Sequence, residues 1–506
     1  MGRESEQLVA DETDIAQRRF VGRHRCTTRV VCWLMLAVSI GASRMTTHTS
    51  LQELLALAGS FETRGGDVEF IGNDPVFPTP YLVGAAGAAA LGAVGLAVSH
   101  LWFLRKKRNQ QVKIDVRAAA AAMRSARYLK IDGKAPKEIW DPLSGFYPVR
   151  DGWVSIHCNF PNHRNAAMGV LGGPADRAAA ELVSRGWDGL ALEDAIHAAQ
   201  GCAGLARTAA EWAQHPHSAA VAVQPLLEIQ KIGEAKPEPL PIGMRPLSGV
   251  RVLDLTRVLA GPTCARTLAE HGADVLKISG AHLPDSGAAE FDTGIGKLSA
   301  HLDLRTSAGV AALRGLLREA DVFSQSYRPG ALAARGFSPE AAAELRPGIV
   351  YVTLSAWGTE GPWRERRGFD SIVQTVSGMA CAQSGEGKPK LLPVSAIDYV
   401  SGYLMAFGAM VALARRATEG GSWLVRVSLA RTGKWIVDRG IIEDFASVPS
   451  DLPPVELQEL TMQTRNITHL KPVLGLSETP PYWERPPVPL GTHPAAWPTR
   501  FFPSDA

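Results

Sequence analysis

One carboxylate, Asp398, stands inside an otherwise apolar run at 391–411, LLPVSAIDYVSGYLMAFGAMV. Residues 412–422 then bring two arginines, a glutamate and a Gly-Gly pair, so the run reads as a buried helix closed by a surface turn. Burying an ionised carboxylate without partners costs several kcal/mol or more. Asp398 therefore either caps the start of its helix through backbone N–H groups or faces a cleft there as a nucleophile. Residue type alone leaves both open. An aspartate is ionised at neutral pH and needs no general base to attack. Four arginines add a second kind of chemistry: Arg257, Arg305, Arg328 and Arg367 fall at strand ends or in adjacent loops. Each alone is explained by a surface ion pair, but four on one rim suit an anionic ligand. Lys297 reads equally as a ligand contact or a solvated surface lysine; Trp357, in a Gly-rich loop after a strand, could pack a ligand but reads better as core packing.

The elements that must position these groups become regular from Leu247. Strands are expected at 250–255, 274–278, 301–304, 322–325 and 349–354, with helices at 264–271, 306–320 and 339–345. Strand and helix alternate, so the expected fold class is α/β, a parallel sheet with flanking helices, Rossmann-like, accompanied by a smaller α+β domain. Ligands of such sheets sit outside the carboxyl ends of the strands, where the arginines fall. There is no G-x-G-x-x-G and no Walker loop, which removes the usual dinucleotide and ATP readings.

The first half contains an echo of the second. Pro78-Thr79-Pro80 leads into an Ala/Gly-rich apolar run, a basic turn and Val112-Lys113-Ile114-Asp115-Val116. The order from Pro393 to Ser428 is the same, and the place of Asp398 falls near Val83, without an acid. Residues 81–104 alone would pass as a membrane span; the echo makes them a core helix. Gly152 to His157 reads as a strand, short helices follow at 176–185, 192–200 and 208–214, and Pro237, Pro239 and Pro241 mark a linker. Four segments result: 1–44, a poorly ordered extension with Met45 as the expected start; 45–240, the degenerate helix copy plus the small domain; 241–448, the large domain; and 449–506, a Pro-rich extended strap. The apolar stretch at 30–40 resembles a signal h-region but follows a long, partly acidic segment. A net charge of +3 argues against nucleic acid, and six scattered cysteines suggest reduced thiols, a cytoplasmic setting and no metal site.

Pro246 to Pro262, PLSGVRVLDLTRVLAGP, resembles the opening of the class III CoA-transferases, of the formyl-CoA and carnitine CoA-transferase type. The resemblance continues through Gly272-Ala273-Asp274-Val275-Leu276-Lys277-Ile278, Ala320-Asp321-Val322, Tyr327-Arg328-Pro329-Gly330, Gly368-Phe369-Asp370 and Ala396-Ile397-Asp398. Residues 75–230 resemble the part of the family that follows the nucleophile, so the domain order is permuted or a tandem is truncated. Leu490-Gly491-Thr492-His493 resembles the family's C-terminal segment. The chain departs from the pattern at Ser279-Gly280, at Gly294-Ile295-Gly296-Lys297-Leu298, and in lacking a glycine-rich lid.

The resemblance implies an acyl-CoA:carboxylate CoA-transferase acting through an aspartyl anhydride and an aspartyl-CoA thioester. Asp398 takes the nucleophile's place. CoA contacts fall on Leu259 and Ala260; on Leu302, Asp303, Leu304 and Arg305; on Ser326, Tyr327 and Arg328; and on Arg367, Gly368, Phe369 and Asp370. CoA is implied as substrate, with acyl-CoA and a carboxylic acid acceptor as partners, a homodimer as assembly, and neither nucleic acid nor membrane. The start of a helix would supply N–H donors for the tetrahedral oxyanions and keep Asp398 ionised. A 2-methylacyl-CoA racemase is the alternative, disfavoured because its histidine would stand where Phe369 is; a CoA-binding member without turnover is the third.

Overall fold

The computed structural model describes residues 45–59, 67–136, 140–173, 176–284, 287–452, 455–462 and 465–499. The expected N-terminal extension, 1–44, with its apolar stretch at 30–40, lies outside the described residues.

After a helix at Thr47–Leu57, the first half runs through strand β1 (Val68–Ile71), helix α1 (Val83–Lys106) and strand β2 (Val112–Asp115). It continues into an antiparallel sheet of β3 (Gly145–Val149), β4 (Gly152–Ile156) and β5 (Ala203–Leu205), with short helices packed on it, and ends in β6 (Glu228–Gly233). The second half alternates: β7 (Arg251–Leu255), α2 (Ala260–Glu270), β8 (Asp274–Ser279), β9 (Lys297–His301), α3 (Ser307–Arg318), β10 (Val322–Gln325), α4 (Pro339–Leu345), β11 (Val350–Ser355), α5 (Ala396–Glu419) and β12 (Ser422–Ser428).

These strands form one seven-stranded sheet in the order β9-β8-β7-β10-β11-β12-β6, parallel except for β6. Strands β7 and β10 are buried along their whole length, as expected where helices cover both faces. The chain winds one way from β7 through β9, then crosses back to β10. The order therefore reverses between β7 and β10, where doubly wound sheets open a crevice.

Some boundaries moved. The strand expected at 301–304 ends at His301, because the charged Lys297 opens it instead of interrupting it. Helix α2 starts four residues before the expected position. Pro262 is its third residue, and first-turn N–H groups have no intrahelical acceptor to lose. The tail is not a plain extended strap: it forms the hairpin Leu457–Met462 with Arg465–Leu470, then β13 (Gly475–Leu476). Beyond β13 it crosses the large sheet, where Trp483 Nε1–H donates to Arg266 O at 3.1 Å and His493 N–H to Ser299 O at 2.7 Å.

The echo is real in space. α1 and α5 have 24 residues each and pack against one another. Both are apolar and long enough to cross a membrane by length and composition, and here both are covered by protein. Small residues permit close approach: a Cβ on Gly402 of α5 would sit 2.5 Å from Ala260 O of α2. β1 pairs with β2 in parallel, as β11 does with β12. β13 lies antiparallel against β2, as β6 does against β12. Each half thus receives its outermost strand from the other. Aligning the first residues of the two helices sets Asp398 against Ala85, two residues beyond the expected Val83.

Candidate active site

Asp398 is the third residue of α5, and it does not cap the helix. Asp370 does: one of its oxygens accepts the Asp398 N–H at 3.0 Å, and the Ile397 N–H also donates to this carboxylate. Asp370 is held in turn by the Gln374 side-chain amide, whose carbonyl accepts the Leu392 N–H at 2.8 Å. The degenerate half repeats the device. Asp74 accepts from Gly84 N at 3.1 Å and Ala85 N at 2.7 Å, and burial pushes its carboxyl up to about 6. One carboxylate is thus structural in both halves. The second half has an additional one, Asp398, for whose carboxylate no hydrogen-bond partner is found among the described residues.

Burial, and then the like charge of Asp370, raise the Asp398 carboxyl well above the ordinary carboxylate range. This corrects the sequence-based expectation of an aspartate kept ionised by its helix. The helix's positive end is spent on Asp370, which leaves the Asp398 carboxyl desolvated.

Asp398 lies where two cavities meet. The first, about 600 Å³, occupies the crevice at the carboxyl ends of β7 and β10. Leu259, Ala260, Leu302, Leu304 and Arg305 line one side of it, and Ser326, Tyr327 and Arg328 another. Arg367, Gly368 and Phe369 close it beside Asp398. Two of the expected contacts are elsewhere: Asp370 lines the second cavity, and Asp303 faces neither. Asp303 instead clamps Arg305 through two bonds of 2.8 and 2.7 Å.

All four expected arginines reach this cavity. Among the described residues Arg257, Arg328 and Arg367 make no ion pair; Arg257 donates to Pro284 O at 2.6 Å and Arg367 to Gln200 at 2.8 Å. Burial and the charge of Arg328 pull the Arg367 guanidinium below its ordinary range. His163, in the same wall, is held down to about 4 by burial and then by Arg367, Arg257 and Arg328, so it stays neutral at neutral pH. Three guanidiniums without carboxylates at the mouth of an apolar-walled crevice can hold phosphate groups. Lys297 is in neither cavity. It is fully buried, with its ammonium 2.9 Å from Asp254 and 2.9 Å from Pro262 O, which corrects both sequence readings of it. Trp357 is core packing, as expected.

Between β7 and α2, Val258 has φ of 72° and lines both cavities. A β-branched residue in that region is strained by about 1–3 kcal/mol. The turn is pinned by Arg257 N–H donating to Ser326 Oγ at 3.2 Å. It brings Leu259 and Ala260, at the start of α2, to the wall of the cavity that Asp398 also lines.

The second cavity, about 480 Å³, lies on the other side of Asp398. Arg124, Arg127, Trp140, His157 and Asn159 of the first half line it, together with Asp370 and Gln374. Sequence reasoning named Asp370 but missed Arg124, Arg127, Trp140, His157, Asn159 and Gln374, and missed Phe160 and His163 in the first cavity. The available signal was that Phe160 and His163 follow the end of a recognised strand. His157 stacks on Phe369 with ring centroids 3.9 Å apart, and burial holds its imidazole down to about 3.

Comparison with known proteins adds a family. The model of CoA-transferase family III matches residues 53–238 and 247–467. An acyl-CoA transferase of Gibberella moniliformis is 30% identical over 414 residues, covering 72% of each chain. A succinate–glutarate CoA-transferase of Agrobacterium fabrum is 34% identical over 196 residues, 35% of this chain and 49% of that protein. A succinyl-CoA:glutarate CoA-transferase of Homo sapiens is 32% identical over 181 residues, 33% of this chain and 41% of that protein. The match thus spans less than half the length of the latter two relatives.

Proposed function

The chain belongs to CoA-transferase family III, and from that premise we propose that it moves coenzyme A between carboxylic acids through covalent intermediates on Asp398. The supporting observation is the Asp398 carboxylate, without a hydrogen-bond partner among the described residues, at the junction of an arginine-rimmed cavity and a second cavity. CoA phosphates lie against Arg257, Arg328 and Arg367, and the pantetheine arm runs along Leu259, Leu302 and Leu304 towards Asp398.

An Asp398 oxygen attacks the thioester carbon; the C–S bond breaks, giving a mixed anhydride and CoA thiolate. The thiolate attacks the aspartyl carbonyl, the C–O bond breaks, and the first acid leaves. The acceptor carboxylate then attacks the aspartyl thioester and expels thiolate, which attacks the acceptor's carbonyl in the new anhydride and restores the Asp398 carboxylate. Each tetrahedral oxyanion is stabilised by backbone N–H donors at the start of α2, held by the strained Val258 turn. Desolvation makes the carboxylate a stronger nucleophile, at the cost of a raised pKa.

Racemisation α to the thioester needs a second base opposite Asp398. His157 shares its cavity, but with its imidazole held to about 3 it is too weak a base for an α-proton. The test is incubation with acyl-CoA, quenching, and mass spectrometry for a CoA adduct on Asp398, with Asp398→Asn as control. An adduct lost in the control is expected. Deuterium wash-in at the α-carbon without an adduct would overturn the transfer reading.

A further inference from the structure

We propose that Arg124 and Arg127 form an anion subsite in the second cavity that receives the distal carboxylate of a dicarboxylic acid whose other carboxyl reacts at Asp398. The proposal deepens the transfer reading and rests on it for the role of Asp398.

Both guanidiniums line the cavity, and neither has an ion pair among the described residues. Arg124 lies 4.2 Å over the Phe77 ring and donates to Tyr128 Oη at 3.0 Å and to Ser450 O at 3.3 Å. Arg127 has no side-chain hydrogen bond among the described residues. The carboxylates facing the cavity are Asp370, committed to Gln374 and backbone N–H groups, and Asp398. Burial and then the like charge of Arg124 pull Arg127 below its ordinary range. Arg124 is half-buried and Arg127 exposed, so the two unneutralised cations stand at the solvent side of the cavity, where they favour an anion between them.

The turn that carries the pair is also fixed in place. It flanks Ser125 on the one-turn 3₁₀ helix Ser125–Arg127. Ser125 Oγ donates to Asp292 at 2.6 Å and bonds Tyr399 Oη at 2.8 Å, and Arg266 donates to the same Asp292 oxygen at 2.8 Å. Tyr399 is the neighbour of Asp398 on α5, so one buried network ties the arginine turn to the nucleophile. Arginine forks match carboxylates. An acid with its first carboxyl at Asp398 presents its second to these forks, whereas a monocarboxylate leaves both cations unanswered.

The test is calorimetric binding of acids to the full chain with CoA saturating the arginine rim. The series malonate, succinate, glutarate and adipate is compared with monocarboxylates of the same lengths. At least one dicarboxylate is expected to bind about 10- to 100-fold tighter than its monocarboxylate counterpart. Arg127→Gln should erase that preference and Arg127→Lys restore part of it, with unchanged melting temperatures. No preference in the native chain, or a preference that survives Arg127→Gln, overturns the subsite. CoA transfer from acetyl-CoA to the same acids is scored separately. Binding preference without transfer upholds the subsite and sinks the transfer reading; transfer without preference does the reverse.

Discussion

Replacing Asp398 by asparagine should have two opposed effects. The side chain keeps its shape but loses its nucleophilic oxygen pair, and transfer should fall by about 10⁴-fold or more, the order seen when a covalent nucleophile is removed. Stability should rise. The Asp398 carboxyl is buried beside Asp370, with no hydrogen-bond partner among the described residues. Its folded-state pKa therefore lies above its unfolded value of about 4. The stability contribution of such a group is fully present below the unfolded pKa and is lost as pH rises through the folded one. Asparagine has no such dependence. The variant should thus match the native chain in acid and gain on it as pH climbs from the ordinary carboxylate range through the raised value, then hold a constant lead. Relieving one uncompensated buried charge should contribute about 1–3 kcal/mol. For a chain of this length that is roughly 1–3 °C in melting temperature. Scanning calorimetry of both proteins across pH, with activity measured on the same samples, checks it. A variant that retains transfer within about tenfold, or that shows no pH-dependent gain, refutes the argument that Asp398 is an unsatisfied nucleophile.

Further outcomes follow from neighbouring groups. Arg328→Gln should raise KM for the CoA ester by about 10-fold, whereas Arg305→Gln should change it less than about 3-fold, since Asp303 already engages that guanidinium in two bonds; steady-state kinetics at low salt separates them. Asp370→Asn keeps an acceptor for the helix N–H groups but removes the charge facing Asp398, so the acid limb of kcat/KM against pH should move to lower pH. Lys297→Met leaves Asp254 buried and unpaired and should cost about 3–5 kcal/mol in denaturant unfolding.

Local patterns carried far where local rules decide. Strand Val322–Gln325 and helix Pro339–Leu345 lie where the apolar run and the Ser-Pro start place them. The repeated helix was legible because both copies bury an apolar face and end in a basic turn. Lys297 was misread because its partner, Asp254, is 43 residues away and on another strand. The same limit hid the division of labour between Asp370 and Asp398, set by a bond across 28 residues. It also hid the second cavity. No pattern near Arg124 shows that Ser125 bonds Tyr399 across 274 residues, and that bond ties the first half's arginine turn to the residue next to Asp398.

The exchange of outer strands has a consequence for synthesis of the chain. Helix α1 is almost wholly apolar, and its packing partner α5 begins about 290 residues after α1 ends. At ribosomal speeds of about 5–20 residues per second, that surface waits roughly 15–60 s for its cover. Strand β2 waits longer, until β13 emerges near the C-terminus. A ribosome stalled in the second half would therefore display an open sheet edge and the side of α1 that α5 later covers, the features that recruit chaperones or seed aggregation. Codon tempo and chaperone supply should govern the yield of this protein more than its final stability does.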